Sequence, residues 1–97
     1  MNTPAFALDA RLAADTHFLC DAPLCRIGLM DDARFPWLIL VPRRLNVREW
    51  PDLDTPDQLQ LQAEINAATR ALRHAFPHGE KLNIAALGNV VPQLHIH

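Results

Sequence analysis

The fold of this chain is decided by its final stretch, Leu87-Gly88-Asn89-Val90-Val91-Pro92-Gln93-Leu94-His95-Ile96-His97. From Gln93 onward polar and apolar residues alternate, which predicts a strand with one buried face. Gln93, His95 and His97 then share one side, with successive members about 6 to 7 Å apart. Leu94 and Ile96 point the other way, into a core. Two imidazoles and an amide are therefore expected to stand in a row.

Three interpretations of this row are open. Two histidines two residues apart on a strand can chelate Zn²⁺, which needs one or two further ligands from elsewhere. They can also supply a nucleophile or an acid–base pair, because imidazole titrates near neutral pH. The third interpretation is an exposed strand face that carries polar residues without a function.

Length and composition bound the class of protein. The chain has 97 residues, 49% of them hydrophobic, and a formal net charge of −2. These values predict one small globular domain with a single core. A chain with no overall positive charge has no field to hold polymeric nucleic acid by its phosphates, so such a partner is not expected.

The N-terminus lacks the basic start and apolar core of a signal peptide, and no apolar run is long enough to span a membrane. We therefore expect a cytoplasmic protein with no membrane partner. In that compartment Cys20 and Cys25 are expected to be reduced core thiols. A zinc site at these cysteines is the alternative, but no second Cys/His pair lies at a suitable spacing.

The pattern of the chain predicts an α+β domain, an antiparallel sheet with one long helix and a short N-terminal helix. The predicted elements are a helix over 6–15, strands over 16–20, 24–30 and 35–41, a long helix, and strands over 80–87 and 93–97.

The long helix has a clear predicted start. Thr55 is expected to cap it, with Pro56 at the first helical position and Asp57 meeting the helix dipole. Apolar residues then recur at helical spacing and form one stripe. Its members are Leu61, Ile65, Ala68, Leu72 and Phe76.

Other charged and titratable residues have more ordinary interpretations. Arg43, Arg44 and Arg48 form a local basic patch that could attract a phosphate, but a solvated loop is the favoured interpretation. His74 and His78 lie at the predicted end of the long helix, and we expect both on the surface.

The final stretch resembles the signature of the histidine triad (HIT) family. In that signature His, apolar, His, apolar, His and two apolar residues follow a Gly and an amide or hydroxyl residue. The likeness extends to Trp37-Leu38-Ile39-Leu40-Val41-Pro42-Arg43-Arg44, which is similar to the family's strand that ends in Pro and basic residues. The chain looks like a bacterial HIT-like hydrolase with Gln93 at the first triad position, where the family has His. Residues 1–97 are expected to form a single HIT domain, truncated just after the triad motif.

The resemblance implies a HIT-like fold and chemistry on nucleotides. His95 occupies the position of the nucleophile that attacks an α-phosphorus and forms a nucleotidyl-histidine intermediate. His97 would stabilise charge on the phosphate oxygens, and Gln93 could donate a hydrogen bond without carrying a proton charge. The expected activity is hydrolysis of nucleoside phosphoramidates or dinucleotides, or nucleotidyl transfer.

The resemblance also implies substrate contacts and partners. Asn83, Asn89 and Asp31 occupy positions that contact sugar or phosphate in relatives, although turn chemistry is the favoured interpretation for Asp31 and its neighbour Asp32. The expected partners are a small-molecule nucleotide and a second copy of the chain in a homodimer, with no cofactor. The alternatives are a non-catalytic nucleotide-binding module and a metal-binding protein that uses His95 and His97.

Overall fold

The structure is a computed structural model that describes residues 6–32, 34, 36–78, 81–87 and 91–97. Its helices are α1 (Ala10–Asp15) and α2 (Thr55–Ala75), with a 3₁₀ turn at Trp50–Asp52. Its strands are β1 (Thr16–Asp21), β2 (Cys25–Met30), β3 (Leu38–Pro42), β4 (Ala86–Leu87) and β5 (His95–Ile96). Across the described ranges the strands form one antiparallel sheet in the order β1-β2-β3-β5-β4. The predicted α+β class is confirmed.

The sheet carries a different core cluster on each face. Residues paired directly across the strands share a face, and one such row runs from Ile27 through Leu40 to Ile96. This row packs with Leu61 and Ile65 of α2. On the other face a second cluster lies beneath α1 and the segment before it; its buried members are Leu12, Ile39, Val41 and Val91.

The prediction that Leu94 and Ile96 point into the core is confirmed. Leu94 and Ile96 are each only 2% exposed and belong to the cluster on the α2 face. The pairing of the strand is shorter than predicted, because among the described residues only His95 and Ile96 have ladder partners on β4. His95, which lies between Leu94 and Ile96, thus faces away from α2.

The N-cap of helix α2 lies one residue before the predicted one. Asp54 is the N-cap, with extended backbone angles, and its carboxylate accepts a hydrogen bond of 2.9 Å from the backbone N–H of Asp57. Thr55 is already helical, so its assignment as the cap was wrong. Both residue types are good caps, which is why the sequence alone did not separate them. The apolar stripe is buried at Leu61 and Ile65, but Phe76 at its end is 49% exposed.

This correction gives a stability prediction. Asp54→Ala should lower the free energy of unfolding by about 1 kcal/mol, because the N–H of Asp57 loses its acceptor. Thr55→Ala is the matched control and should cost less than half of that. Urea denaturation of both variants measures the difference. If Thr55→Ala lost more stability than Asp54→Ala, Thr55 would be the N-cap.

Other boundaries also differ from the prediction. The first helix starts at Ala10 rather than at 6, because the Asp9 side chain accepts a hydrogen bond from the Arg11 backbone and ends the extended segment before it. The strand predicted over 80–87 is regular only at Ala86–Leu87, and residues 81–85 form no strand. Phe35 lies outside the described residues, and β3 begins at Leu38.

The two cysteines lie in different environments. Both are free thiols in the structure. Cys25 is buried, and burial is the main reason that the pKa of its thiol is raised. The nearby negative charge of Glu64 raises this pKa further. Cys20 is exposed, so its prediction as a core residue was wrong. It lies on β1, an edge strand in which one residue is half-buried and the other five are exposed. Over the described part of the chain, no helix is long and apolar enough to cross a membrane.

A buried carboxylate that the sequence did not reveal joins α2 to the sheet. Glu64 is 5% exposed and accepts hydrogen bonds from the backbone N–H groups of Leu24, at 2.8 Å, and Cys25, at 2.7 Å. The Gln60 amide donates a third bond of 2.8 Å. These donors compensate the cost of burying the charge.

Candidate functional site

His95 is held in one orientation by the residue two positions before it. His95 is 5% exposed, and its Nδ1 lies 2.7 Å from the backbone carbonyl oxygen of Gln93. A carbonyl oxygen only accepts, so Nδ1 carries the hydrogen and donates it. In the neutral ring the lone pair is therefore on Nε2. This is the arrangement that a histidine nucleophile needs.

The peptide that orients His95 is itself fixed on its opposite edge. The N–H of Leu94 donates a hydrogen bond of 3.0 Å to the carbonyl oxygen of Val47. The peptide plane between Gln93 and Leu94 therefore has its carbonyl on the His95 ring and its N–H on the loop after β3. Because Leu94 is buried in the α2-side core, rotation of this plane would break a hydrogen bond and disturb packing.

His97 lies next to His95 and against an aromatic ring. The His95 and His97 ring centroids are 5.0 Å apart with an interplanar angle of 63°, and the His97 ring stacks on Trp37 at 5.1 Å and 25°. The backbone N–H of His97 donates to the carbonyl of Ala85 at 2.9 Å. Both ring nitrogens of His97 are buried, and neither has a hydrogen-bond partner among the described residues. Each therefore has unused hydrogen-bonding capacity.

The environment of His97 favours its neutral form. Burial lowers the pKa of His97 below its ordinary value, and positive charge on His95 lowers it further. Both effects penalise a second positive charge in the pair. At neutral pH His97 is therefore an uncharged ring with one N–H donor and one acceptor.

This gives a prediction for pH dependence. The pKa of His97 should lie below 6.5. As the pH falls through 6.5, the unfolded chain binds a proton that folded His97 does not bind, so this residue makes the fold less stable with falling pH. An NMR titration of the ring measures the pKa, and urea denaturation at about pH 7 and about pH 5.5 measures the linkage. His97→Gln should lose less stability between the two pH values; an equal loss would contradict the assignment.

Gln93 lies at a bend before β5, outside the strand predicted for it, and its side chain faces the N-terminal segment. The amide Nε2 donates to the carbonyl of Ala7 at 2.9 Å, and Oε1 accepts from the N–H of Asp9 at 2.8 Å. The sequence did not indicate this pairing, because the partners are backbone groups more than eighty positions away along the chain.

Of the three predicted substrate contacts, the two described ones, Asn83 and Asp31, are not brought together. Asn83 is exposed and lines a cavity that His97 also lines. Asp31 is exposed, with its carboxylate 3.3 Å from Nε2 of His17, and lines no cavity with His95 or His97 in the described part of the structure. Asn89 lies outside the described residues.

Asp32, the alternative to Asp31, follows ordinary turn chemistry. It accepts a hydrogen bond from the backbone N–H of Arg34 and pairs with the guanidinium of the same residue at 2.8 Å. This pairing, above all, lowers the pKa of Asp32 to about 2. The Asp32 carboxylate thus caps a turn, as the favoured interpretation predicted.

The cavity that His97 lines has a volume of about 470 Å³. It opens between α2 and the sheet, with Ile65, Ala68 and Leu72 on one wall and Leu40 and Ile96 on the other. His95 does not line it, because this histidine lies on the opposite face of the sheet from α2.

The other candidate sites from the sequence have structural roles. Arg44 pairs with Asp57 through two hydrogen bonds of 2.7 and 3.0 Å, and Arg43 lies near Asp21 and donates to the carbonyl of Ala22. His74 and His78 are exposed, as predicted. Within the described ranges there is no group of three or more His, Cys, Asp or Glu residues that could hold a metal ion.

Comparison with known proteins decides the family. The family model described as HIT domain matches residues 11–97. The chain belongs to the HIT domain family. A comparison with curated proteins found no significant match.

Solved structures agree with this HIT assignment. The chain is similar to a histidine triad protein from Bradyrhizobium japonicum, with 49% identity, a TM-score of 0.93, and coverage of 96% of this chain and 69% of that one. It is also similar to a histidine triad protein from Marinobacter aquaeolei VT8, with 46% identity, a TM-score of 0.91, and coverage of 96% and 67%. A third, from Sinorhizobium meliloti 1021, has 45% identity, a TM-score of 0.91, and coverage of 94% and 67%. The HIT-like fold predicted from the resemblance is confirmed.

Proposed function

We propose that this HIT domain binds nucleoside phosphates and transfers the nucleotidyl group through a covalent intermediate on His95. The observation that carries the proposal is the 2.7 Å contact between Nδ1 of His95 and the carbonyl of Gln93. It leaves the Nε2 lone pair as the nucleophile, on a ring that cannot turn without losing a hydrogen bond. Membership of the family supports the nucleotide as the class of ligand.

The reaction proceeds in two steps. Nε2 of His95 forms a bond to the α-phosphorus while the bond from phosphorus to the amine or phosphate leaving group breaks, and the leaving group takes a proton from solvent. The ring then carries positive charge, which its Nδ1–H shares with the Gln93 carbonyl. Water attacks the same phosphorus and releases a proton to solvent, the N–P bond breaks with its electron pair returning to Nε2, and the nucleoside monophosphate leaves with His95 neutral again.

His97 contributes to the first step by hydrogen bonding. One of its two unpartnered ring nitrogens carries a hydrogen, and a donor aimed at the phosphate oxygens stabilises the charge that grows on them in the transition state. Its depressed pKa keeps it neutral beside the positive charge that forms on His95. His97 thus supplies a dipole rather than a second cation.

The partner of this site is a small nucleotide, and the assembly that we propose is a homodimer. Exposed apolar side chains on and near α2 support a second copy as partner: Leu59 is 69% exposed and Phe76 is 49% exposed. Burying such side chains between two copies would be favourable. Light scattering after size exclusion measures the mass of the particle.

Intact-protein mass spectrometry tests the function. The native chain is incubated briefly with an adenosine phosphoramidate and quenched, and we expect a mass increment of one adenylyl group, located on His95 by peptide mapping. Binding of the nucleotide without an increment would overturn the catalytic proposal. It would favour the non-catalytic binding module.

A further inference from the structure

Gln93 makes an unusual two-point contact with the N-terminal segment. Its side-chain amide donates to the carbonyl of Ala7 and accepts from the N–H of Asp9, at 2.9 and 2.8 Å. These two backbone groups flank Leu8, so the amide pairs with the segment as a peptide of a neighbouring parallel strand would. The side-chain amide of Gln93 therefore makes the two backbone contacts that a neighbouring strand would make.

The contact holds a segment that has little other local support. Asp9 caps α1 through bonds from Arg11 N at 2.8 Å and Ala13 N at 2.9 Å. Helix α1 has only six residues, and a helix this short depends on tertiary contacts for its stability. Leu8 packs against the second core cluster, which lies on the His95 side of the sheet. The amide of Gln93 thus ties this segment to β5.

The same residue orients the proposed nucleophile. The carbonyl of Gln93 accepts the Nδ1–H of His95, and Gln93 lies just before the paired residues of β5. The side chain of Gln93 is held by the N-terminal segment, and the peptide that follows Gln93 is held by the hydrogen bond from the N–H of Leu94 to the carbonyl of Val47. The Asp9 carboxylate also lies within electrostatic reach of His95: the pKa of Asp9 is lowered mainly by Arg11, and to a smaller extent by charge on His95.

We propose that Gln93 is a positioning residue, which clamps the backbone of the Phe6–Asp9 segment to β5 and thereby holds His95 in its Nδ1–H tautomer. This inference rests on the proposed function for its catalytic consequence. Gln93 is then not a weak substitute for an acid. An imidazole at this position could not make both contacts, because its two nitrogens point away from each other across the ring, whereas the carbonyl of Ala7 and the N–H of Asp9 approach from one side.

Two spectroscopic measurements test the clamp without any turnover. In Gln93→Leu we expect the Asp9 amide hydrogen to exchange roughly tenfold faster than in the native chain, because one hydrogen bond is lost. Nitrogen-15 chemical shifts of the His95 ring should show a mixture of tautomers in place of the single Nδ1–H form. Gln93→Glu, which keeps the acceptor but loses the donor, gives a second variant with minimal change in shape. Unchanged exchange and an unchanged tautomer in both variants would overturn the proposal.

A double-mutant cycle tests whether the partners act as one unit. Asp9→Pro removes the N–H that Oε1 accepts, and the φ of −53° at Asp9 suits proline. Asp9→Ala keeps this N–H and is the matched control for loss of the side chain; it should slow adenylylation of His95 less than Asp9→Pro does. Gln93→Leu and Asp9→Pro should each slow it about tenfold, and the double variant should be no slower than the slower single variant.

The outcomes separate the clamp from a role in proton transfer. Multiplying effects in the double variant, or faster adenylylation in Gln93→His than in the native chain, would show that Gln93 acts on the substrate and would overturn the proposal. If the native chain forms no adduct at all, the proposed function fails, and the exchange and tautomer measurements still decide the clamp.

Discussion

His95→Asn is expected to reduce adenylylation of the protein by roughly a thousandfold or more, as removal of a nucleophile does in covalent catalysis. Asparagine places an amide N–H near the position of Nδ1, so the hydrogen bond to the Gln93 carbonyl can persist. It has no lone pair in place of Nε2 that can attack phosphorus. The variant therefore removes the chemistry while keeping the contact that orients residue 95.

The measurement is the rate of the mass increment under a saturating adenosine phosphoramidate. His74→Asn is the matched control, because this histidine is exposed at the far end of α2 and the same chemical change there should leave the rate unaltered. The melting temperature of His95→Asn shows whether the fold persists. An adduct that forms at the native rate in a folded His95→Asn protein would place the nucleophile elsewhere.

The sequence predicts those parts of the site that depend on neighbouring residues, and misses those that depend on residues far apart along the chain. The alternation from Gln93 to His97 correctly assigned Leu94 and Ile96 to the core, because strand geometry sends neighbouring side chains to opposite faces whatever the rest of the chain does. The Nδ1 contact of His95 spans only two residues, but the alternation of side chains does not reveal which backbone carbonyl accepts it. The structure supplies the carbonyl of Gln93, at the first triad position.

Contacts between distant parts of the chain could not be predicted in this way. Gln93 meets partners 84 and 86 positions away, and Glu64 meets backbone groups 39 and 40 positions away. A polar residue in a helix is expected to face solvent unless its buried hydrogen-bond partners are known. Glu64 lies three residues after Leu61 and four before Ala68, so helical spacing places it on the predicted stripe, but this spacing does not reveal its partners at the start of β2. The predicted donor role of Gln93 toward substrate missed its backbone partners for the same reason.

Glu64→Leu is expected to destabilise the fold by about 2 to 5 kcal/mol. The N–H groups of Leu24 and Cys25 lie in residues with no exposed surface, so they would lose their acceptor without gaining water. Each buried unsatisfied donor costs about 1 to 3 kcal/mol, and the leucine recovers part of this by apolar packing. Glu64→Gln should cost less, because its one remaining carbonyl oxygen still accepts one of the two bonds.

Urea denaturation followed by far-UV circular dichroism measures both variants. Gln62→Leu is the matched control: it places the same side chain on the exposed face of α2 and should change stability by no more than about 0.5 kcal/mol. If Glu64→Leu cost no more than this control, the carboxylate would not hold α2 to the sheet. If it does cost several kcal/mol, the start of β2 is fixed by a single helix side chain. Because β2 sets the register of β3, and β3 pairs with Ile96, the same carboxylate then supports the strand on which His95 stands.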